Sequence, residues 1–295
     1  MAEAMATARG FHRPRASGIG EAVATGLIWM AAFLILAGMT WIIGSIAWNG
    51  TGYLSWEFLV AAPKNAGLSG GIGPILVSTL ILLAIALVAT VPVGLATAML
   101  LAEFTRQGGT FGRMVRMSLD ILAGVPSIVF GLFGNAFFSL YLGLGFSLLS
   151  GGLTLACMVL PLLIRATEEG FRSVPDEYRQ AAAALGISKP ATVWHLLLPA
   201  ATPGLIVGLV LGIGRALAET AALIFTSGYV DRMPESLLDS GRALSLHIFD
   251  LAMNVPGGDG NAYASTLILI SLILAINALA TWIATRWLHR RILLA

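Results

Sequence analysis

The chain has 295 residues, of which 57% are hydrophobic and 11% charged, with a mean hydropathy of +0.87. Soluble domains carry about a quarter charged residues, so this composition excludes a soluble globular enzyme and points to an integral membrane protein. The net charge of +2 says little by itself, and the single cysteine, Cys157 in an apolar run, excludes an internal disulfide.

Met1 to Gly20 reads as a basic tail carrying Arg9, Arg13 and Arg15, followed by a transmembrane domain over residues 21–295. No charge appears between Glu21 and Glu57, and about 20 apolar residues cross a bilayer, which gives span 1 from Val23 to Trp48. That run is too long for a cleaved signal core of about 7–15 residues. A Gly-rich loop follows over 49–73, with Trp48 and Trp56 suited to the membrane interface. The uncharged stretch between Lys64 and Glu103 gives span 2, Pro74 to Leu101, and Glu103 to Arg116 is a short basic loop. Residues 121–164 carry no charge and are long enough for two crossings: span 3 over Met117 to Tyr141 and span 4 over Phe146 to Ile164, turning in the Gly-rich stretch 143–152. Span 5 covers Ala200 to Gly228, a polar loop runs from Tyr229 to Asn261, and span 6 covers Ala262 to Trp287. The expected fold is all-α with six transmembrane helices.

Between spans 4 and 5 lies a polar interruption, Glu168 to Pro199. It reads as two short helices with a glycine turn. The first starts near Ser173, with Pro175 where a missing N–H costs nothing and Asp176 and Glu177 facing the positive end of the dipole; Gly186 ends it. The second starts at Ser188 and Pro190 and runs through Trp194 and His195, read as packing residues, to a break at Leu198-Pro199. The alternative is an amphipathic helix lying in the membrane interface.

The basic residues are unevenly placed. Arg9, Arg13, Arg15, Arg106, Arg113, Arg116, Arg165, Arg172, Arg179, Lys189, Arg286, Arg290 and Arg291 fall on one side of this topology; only Lys64, Arg232 and Arg242 fall on the other. Basic loops stay cytoplasmic, which places both termini and the polar elbow inside the cell.

Gln180, Ala181, Ala182, Gly186, Leu196, Leu198 and Pro199 keep the spacing of the cytoplasmic "EAA" coupling loop of ABC-importer permeases, which this segment resembles. Gln180 stands where the pattern has Glu, and Leu196 where it has Ile. Two further stretches, Gly124 to Phe133 around Pro126 and Ser127, and Arg215-Ala216-Leu217-Ala218-Glu219-Thr220-Ala221, are similar to signatures of phosphate-importer permeases, the second closer to the PstA type than to PstC. Family members more often have Gly at Ala218 and Pro at Ala222. The resemblance covers the chain from span 2 onward. It implies the type I ABC importer permease (MetI-like) fold, a PstC-like second permease, a PstB-like ATPase dimer that uses ATP and Mg, and a PstS-like phosphate receptor, in the cytoplasmic membrane.

Arg215 and Glu219 fall inside span 5, at a depth where a charge costs at least ~2.5 kcal/mol and is usually paired. Their i, i+4 spacing lets them pair with each other. Gly204, Gly208 and Gly212 form a small-residue ladder on the same face, expected to pack on another helix. Arg215, with Glu219 and Thr220, would line an anion path at the seam with a second permease, guanidinium being well shaped for phosphate; the alternative is a neutralised pair that only fixes packing. Arg165 is either an anion-attracting group at the inner exit or an anchor that snorkels to the interface, and Asp120 is expected to pair with Arg113 or Arg116.

No catalytic residue and no metal site is expected. The only lysines, Lys64 and Lys189, follow Pro63 and Ser188, so the chain lacks a P-loop, and no His, Cys or Asp cluster has metal spacing. Energy would come from another polypeptide, with no cofactor bound here and no nucleic-acid partner. Other readings are a permease for molybdate, sulfate or phosphonate, or a carrier driven by an ion gradient, for which inverted repeats would be expected.

Overall fold

A computed structural model describes residues 18–106 and 109–292; residues 1–17 of the basic tail lie outside the described residues. Helix α1, Gly18–Gly50, is an apolar rod that forms a unit of its own through Trp48. The rest of the chain is a second unit.

That unit starts with a short helix α2, Trp56–Val60, capped by Ser55, whose Oγ accepts from the N–H of Phe58. A small antiparallel hairpin follows, β1 (Pro63–Lys64) and β2 (Ser69–Gly70), paired Pro63 to Gly70 and Lys64 to Ser69. Its turn needs left-handed backbone at Asn65, Ala66 and Gly67. Helix α3, Gly73–Met99, then runs the length of the bundle and ends in a wider π turn, Leu100–Phe104.

The expected third span is broken. Helix α4, Thr110–Gly124, and helix α5, Ser127–Gly134, meet at Val125-Pro126 and are bent by 100°. Proline removes a backbone donor and pushes the residue before it out of the helical region, and Val125 is extended with ψ 131°. Pro126 and Ser127 thus make a corner. A π turn, Asn135–Tyr141, completes the pair. Gly143 and Gly145 take positive φ in the next turn.

Helix α6, Leu148–Arg172, starts on the Ser147 cap and is the centre of the core. Leu148, Leu155, Leu163, Ile164 and Phe171 are buried along it. It lies between α3 and helix α9, and glycines set both approaches: a Cβ at Gly152 would meet the Ile85 side chain of α3 at 2.6 Å. Two short helices, α7 (Asp176–Ala184) and α8 (Lys189–Thr192), form the elbow, and a π turn at Val193–Leu197 leads into α9, Leu198–Ala218. Helix is continuous from Lys189 to Ala218. The break expected at Leu198-Pro199 is absent, because Leu198 N–H reaches back five residues to Val193 O and the wider turn absorbs the proline that cannot donate. The elbow is therefore shorter than 168–199, since α6 runs through Arg172.

Helix α10, Ala221–Ile224, follows a break at Glu219-Thr220, so span 5 does not continue to Gly228 as one helix. Helix α11, Leu244–Met253, packs at the end of the bundle away from the elbow, and α12, Asp259–Ile292, returns along it. Among the described residues five helices are long and apolar enough to cross a membrane, or six when the bent α4–α5 pair is taken as one crossing.

Candidate functional site

The elbow is built by local rules. Ser173 closes α6, its Oγ donating to Gly170 O, and does not start the next helix; Pro175 sits at the N-cap of α7 with Asp176 and Glu177 in the first turn. At the other end Gly186 takes φ 68°, and Ile187 N–H reaches back to Ala182 O, the left-handed stop that only glycine adopts without strain. Of the expected coupling residues, Gln180 and Ala181 are exposed, Ala182 is buried, and Leu198 packs with Phe171, Val174, Val193 and Leu197 in a cluster beneath the elbow. Pro199 follows inside the continuous helix. Trp194 and His195 were expected to pack; both are exposed, because Val193 and Leu197 take the inward face of that turn.

Charges tie the elbow end together. Glu168, on the last turns of α6, has a buried carboxylate ringed by three guanidiniums: Arg116 Nε at 2.6 Å, Arg172 Nη2 at 2.9 Å and Arg165 Nη1 at 3.7 Å. Arg165 also pairs with Asp120. This corrects the expected partner of Asp120, since Arg116 turns away from its own helix to Glu168 and to Leu101 O. Arg165, weighed as a free anion-attracting group, is held by two carboxylates. Glu103, in the π turn after α3, has a side chain only 5% exposed and takes a two-toothed grip from Arg179: Nη2 to Oε1 at 2.6 Å and Nε to Oε2 at 3.2 Å. That bond raises the Arg179 pKa against the opposing effect of burial, so the side chain stays a cation. A cleft of about 840 Å³ opens beside these residues, lined by Glu103, Arg116, Arg172, Asp176, Arg179 and Lys189 among others.

Sequence reasoning missed Glu103, Arg116, Glu168 and Arg179 as a set. Charges at the ends of apolar runs read as solvated. The one available signal was spacing: Glu103 follows Met99 by four residues, and Met99 packs on the cluster beneath the elbow.

A second region joins the two signature stretches. Gly131 of α5 lies so close to α10 that a Cβ there would meet Ala222 Cα at 2.8 Å, and one at Gly134 would strike Thr154 and Thr226. Between α9 and α10, Glu219 is extended (ψ 128°) and buried; its Oε1 accepts the N–H of Ala222 at 3.1 Å, and its carbonyl accepts the Ser245 hydroxyl. The carboxylate thus caps α10. The expected Arg215–Glu219 ion pair is not formed, because a helix break separates the two residues that i, i+4 spacing would have stacked.

The glycine ladder packs on another helix of the same chain. Gly204 meets Gly170 almost backbone to backbone, Gly208 meets Leu163 and Ala166, and Gly212 meets Val159, all on α6 of this same chain. Steps of four residues drift about 40° around a helix each time, so the contact line moves on to buried Ala216 and leaves Arg215 outside it. Arg215 instead continues the exposed stripe Pro203, Val207, Leu211 and Ala218. It has no ion-pair partner among the described residues.

Residues 91–293 match the family described as "Binding-protein-dependent transport system inner membrane component". The chain belongs to this family. The permease is 29% identical over 282 residues to the probable ABC transporter permease protein YqgI of Bacillus subtilis, covering 90% of this chain and 96% of that one. It is 33% identical over 273 residues to the phosphate transport system permease protein PstA of Mycobacterium leprae, covering 90% and 89%. A bacterial alginate ABC transporter, solved in complex with an alginate pentasaccharide-bound periplasmic protein, has a chain that superposes with a TM-score of 0.62 at 14% identity, over 92% of the permease and 94% of that chain. The fold is that of the type I ABC importer permeases.

Proposed function

We propose that this permease is the PstA-type subunit of an ATP-driven importer of inorganic phosphate. It would work beside a PstC-like permease, a PstB-like ATPase dimer that holds ATP and Mg, and a PstS-like receptor. The signature stretches and the similarity to PstA support the substrate; the skew of Arg and Lys supports cytoplasmic termini and an elbow that meets the ATPase from inside.

One observation carries the reading: Arg215, which has no ion-pair partner among the described residues, lies on an otherwise apolar, exposed helix stripe. A charge facing lipid at that depth costs at least ~2.5 kcal/mol, so the stripe fits a seam with another protein or a water-filled path. Glu219 is occupied with capping α10, which leaves the Arg215 donors for an oxyanion. Thr220 follows at the break and would stand beside that anion. Closure of the ATPases would shift the elbow and favour the outward-open state, which is alternating access through a difference in ATP affinity between two states.

Uptake of radiolabelled phosphate tests the proposal. The assembled complex is expected to accumulate phosphate with ATP, against competing molybdate and sulfate, and Arg215→Ala is expected to abolish uptake while the complex still assembles. Normal uptake by that variant would remove Arg215 from the path, and full competition by molybdate or sulfate would change the substrate.

A further inference from the structure

Helix α7 is the part of the elbow on which a docked motor would push, yet it has almost no apolar anchor. Ala182 is its only buried residue; Tyr178, Gln180, Ala181, Ala183, Ala184 and the following Leu185 are exposed. Burying one methyl group stabilises only slightly, too little to make a helix move with the bundle. Arg179 supplies what packing does not. Its three nitrogens reach three elements: Glu103 after α3, Phe171 O (2.9 Å) in the last turn of α6 and Val174 O (2.8 Å) just beyond it, and Asp176 on α7 itself at 3.2 Å. The acceptors at Phe171 and Glu103 are buried, so the fork sits where water competes poorly. Helices α3 and α6 pack on each other through the core, so a group bound to both ends moves the pair together.

We propose that Arg179 is the positioning residue that couples the elbow to the membrane helices, carrying displacement of α7 into α3 and α6 through one guanidinium gripped by Glu103. The inference rests on the importer reading above. Guanidinium suits the task because its planar fork holds a carboxylate in two places and still has donors for carbonyls; an ammonium would hold one point and swivel.

The test is the number of phosphate ions accumulated per ATP hydrolysed by the full complex in vesicles, for wild type, Arg179→Met, Arg179→Lys and Glu103→Gln. Arg179→Met and Glu103→Gln are expected to keep ATP hydrolysis per assembled complex and to lose about tenfold in phosphate moved per ATP, within the range of coupling between distant sites. Arg179→Lys should fall between. Should a single variant fail to assemble, Arg179→Met combined with Glu103→Leu, which strands no charge, is read for the same ratio. An unchanged ratio in a wild-type-like complex overturns this inference alone, and so does a loss of uptake and hydrolysis in equal proportion. A wild type that imports nothing with ATP overturns the importer reading and this inference with it.

Discussion

The elbow end of the bundle is fastened chiefly by ions, whereas the end around α11 is held chiefly by neutral contacts, with one ion pair, Arg242–Asp250, among them. At the elbow, Glu168 and Glu103 hold Arg116, Arg165, Arg172 and Arg179, while α7 buries one alanine. Around α11, Leu244, Leu246 and Leu251 are buried to 1% exposure or less; Thr79 Oγ1 accepts the N–H of Leu244, and Asn261 Nδ2 donates to Gly67 O of the hairpin. Apolar packing locks one arrangement, since any shift opens voids. The half-exposed Arg165 and Arg172 can exchange partners at smaller cost, while the buried Glu103 end of the Arg179 fork cannot. The difference teaches where this permease can move: one end is keyed in place, and the other can re-sort its outer ionic bonds around a fixed fork.

Three changes would break or sharpen that contrast. The largest effect is expected from Glu168→Gln, which leaves three guanidiniums without their common counter-ion. Loss of one partner from a buried pair costs about 3–5 kcal/mol, and a fall in the midpoint of thermal unfolding of the purified complex would read it. An unchanged midpoint would mean that the arginines share the load with other acceptors.

The next concerns the opposite end. His247 lies 1% exposed behind the hairpin, with Arg242 Nη1 3.4 Å from its Nδ1 and Asp250 paired to the same arginine. Burial first, then Arg242, lowers its pKa from 6.5 to about 4, with Asp250 opposing. The unfolded chain therefore binds a proton that the folded one refuses between those values. Stability from this group is full above pH 6.5 and is lost as pH falls toward 4, by up to roughly 3 kcal/mol. Unfolding midpoints measured from pH 7.5 to 5 should drop for wild type and drop less for His247→Gln.

The smallest effect is expected from Asp176→Asn. This carboxylate is 82% exposed and pairs with Arg179 at 3.2 Å, and such surface pairs contribute about 0–1 kcal/mol. The variant should match wild type in stability and in phosphate moved per ATP, which separates the solvated arm of the Arg179 network from its buried arm at Glu103.

The crossings were legible because long uncharged runs such as 65–102 and 121–164 have few ways to fold outside a membrane. The Gly186 stop was legible for the same kind of local reason. The corner at Pro126 was not legible, since span 3 reads as one crossing: a proline can kink a helix slightly or break it, and the size of the bend depends on how α4 and α5 pack. The break at Glu219 was hidden, because helical spacing pairs that carboxylate with Arg215 and nothing in the spacing says that it will cap the next turn. The ionic web was hidden more deeply, since Arg116 and Glu168 stand 52 residues apart and periodicity reaches only a few turns.

The π turn at Val193–Leu197 lets one unbroken helix run from Lys189 at the elbow to Ala218 beside the Glu219 break. Such a rod behaves as a crank arm: a tilt of a few degrees at its base sweeps its tip, with Arg215 aboard, through several ångströms. A hinge at Pro199 would have absorbed that swing before it reached the middle of the bilayer.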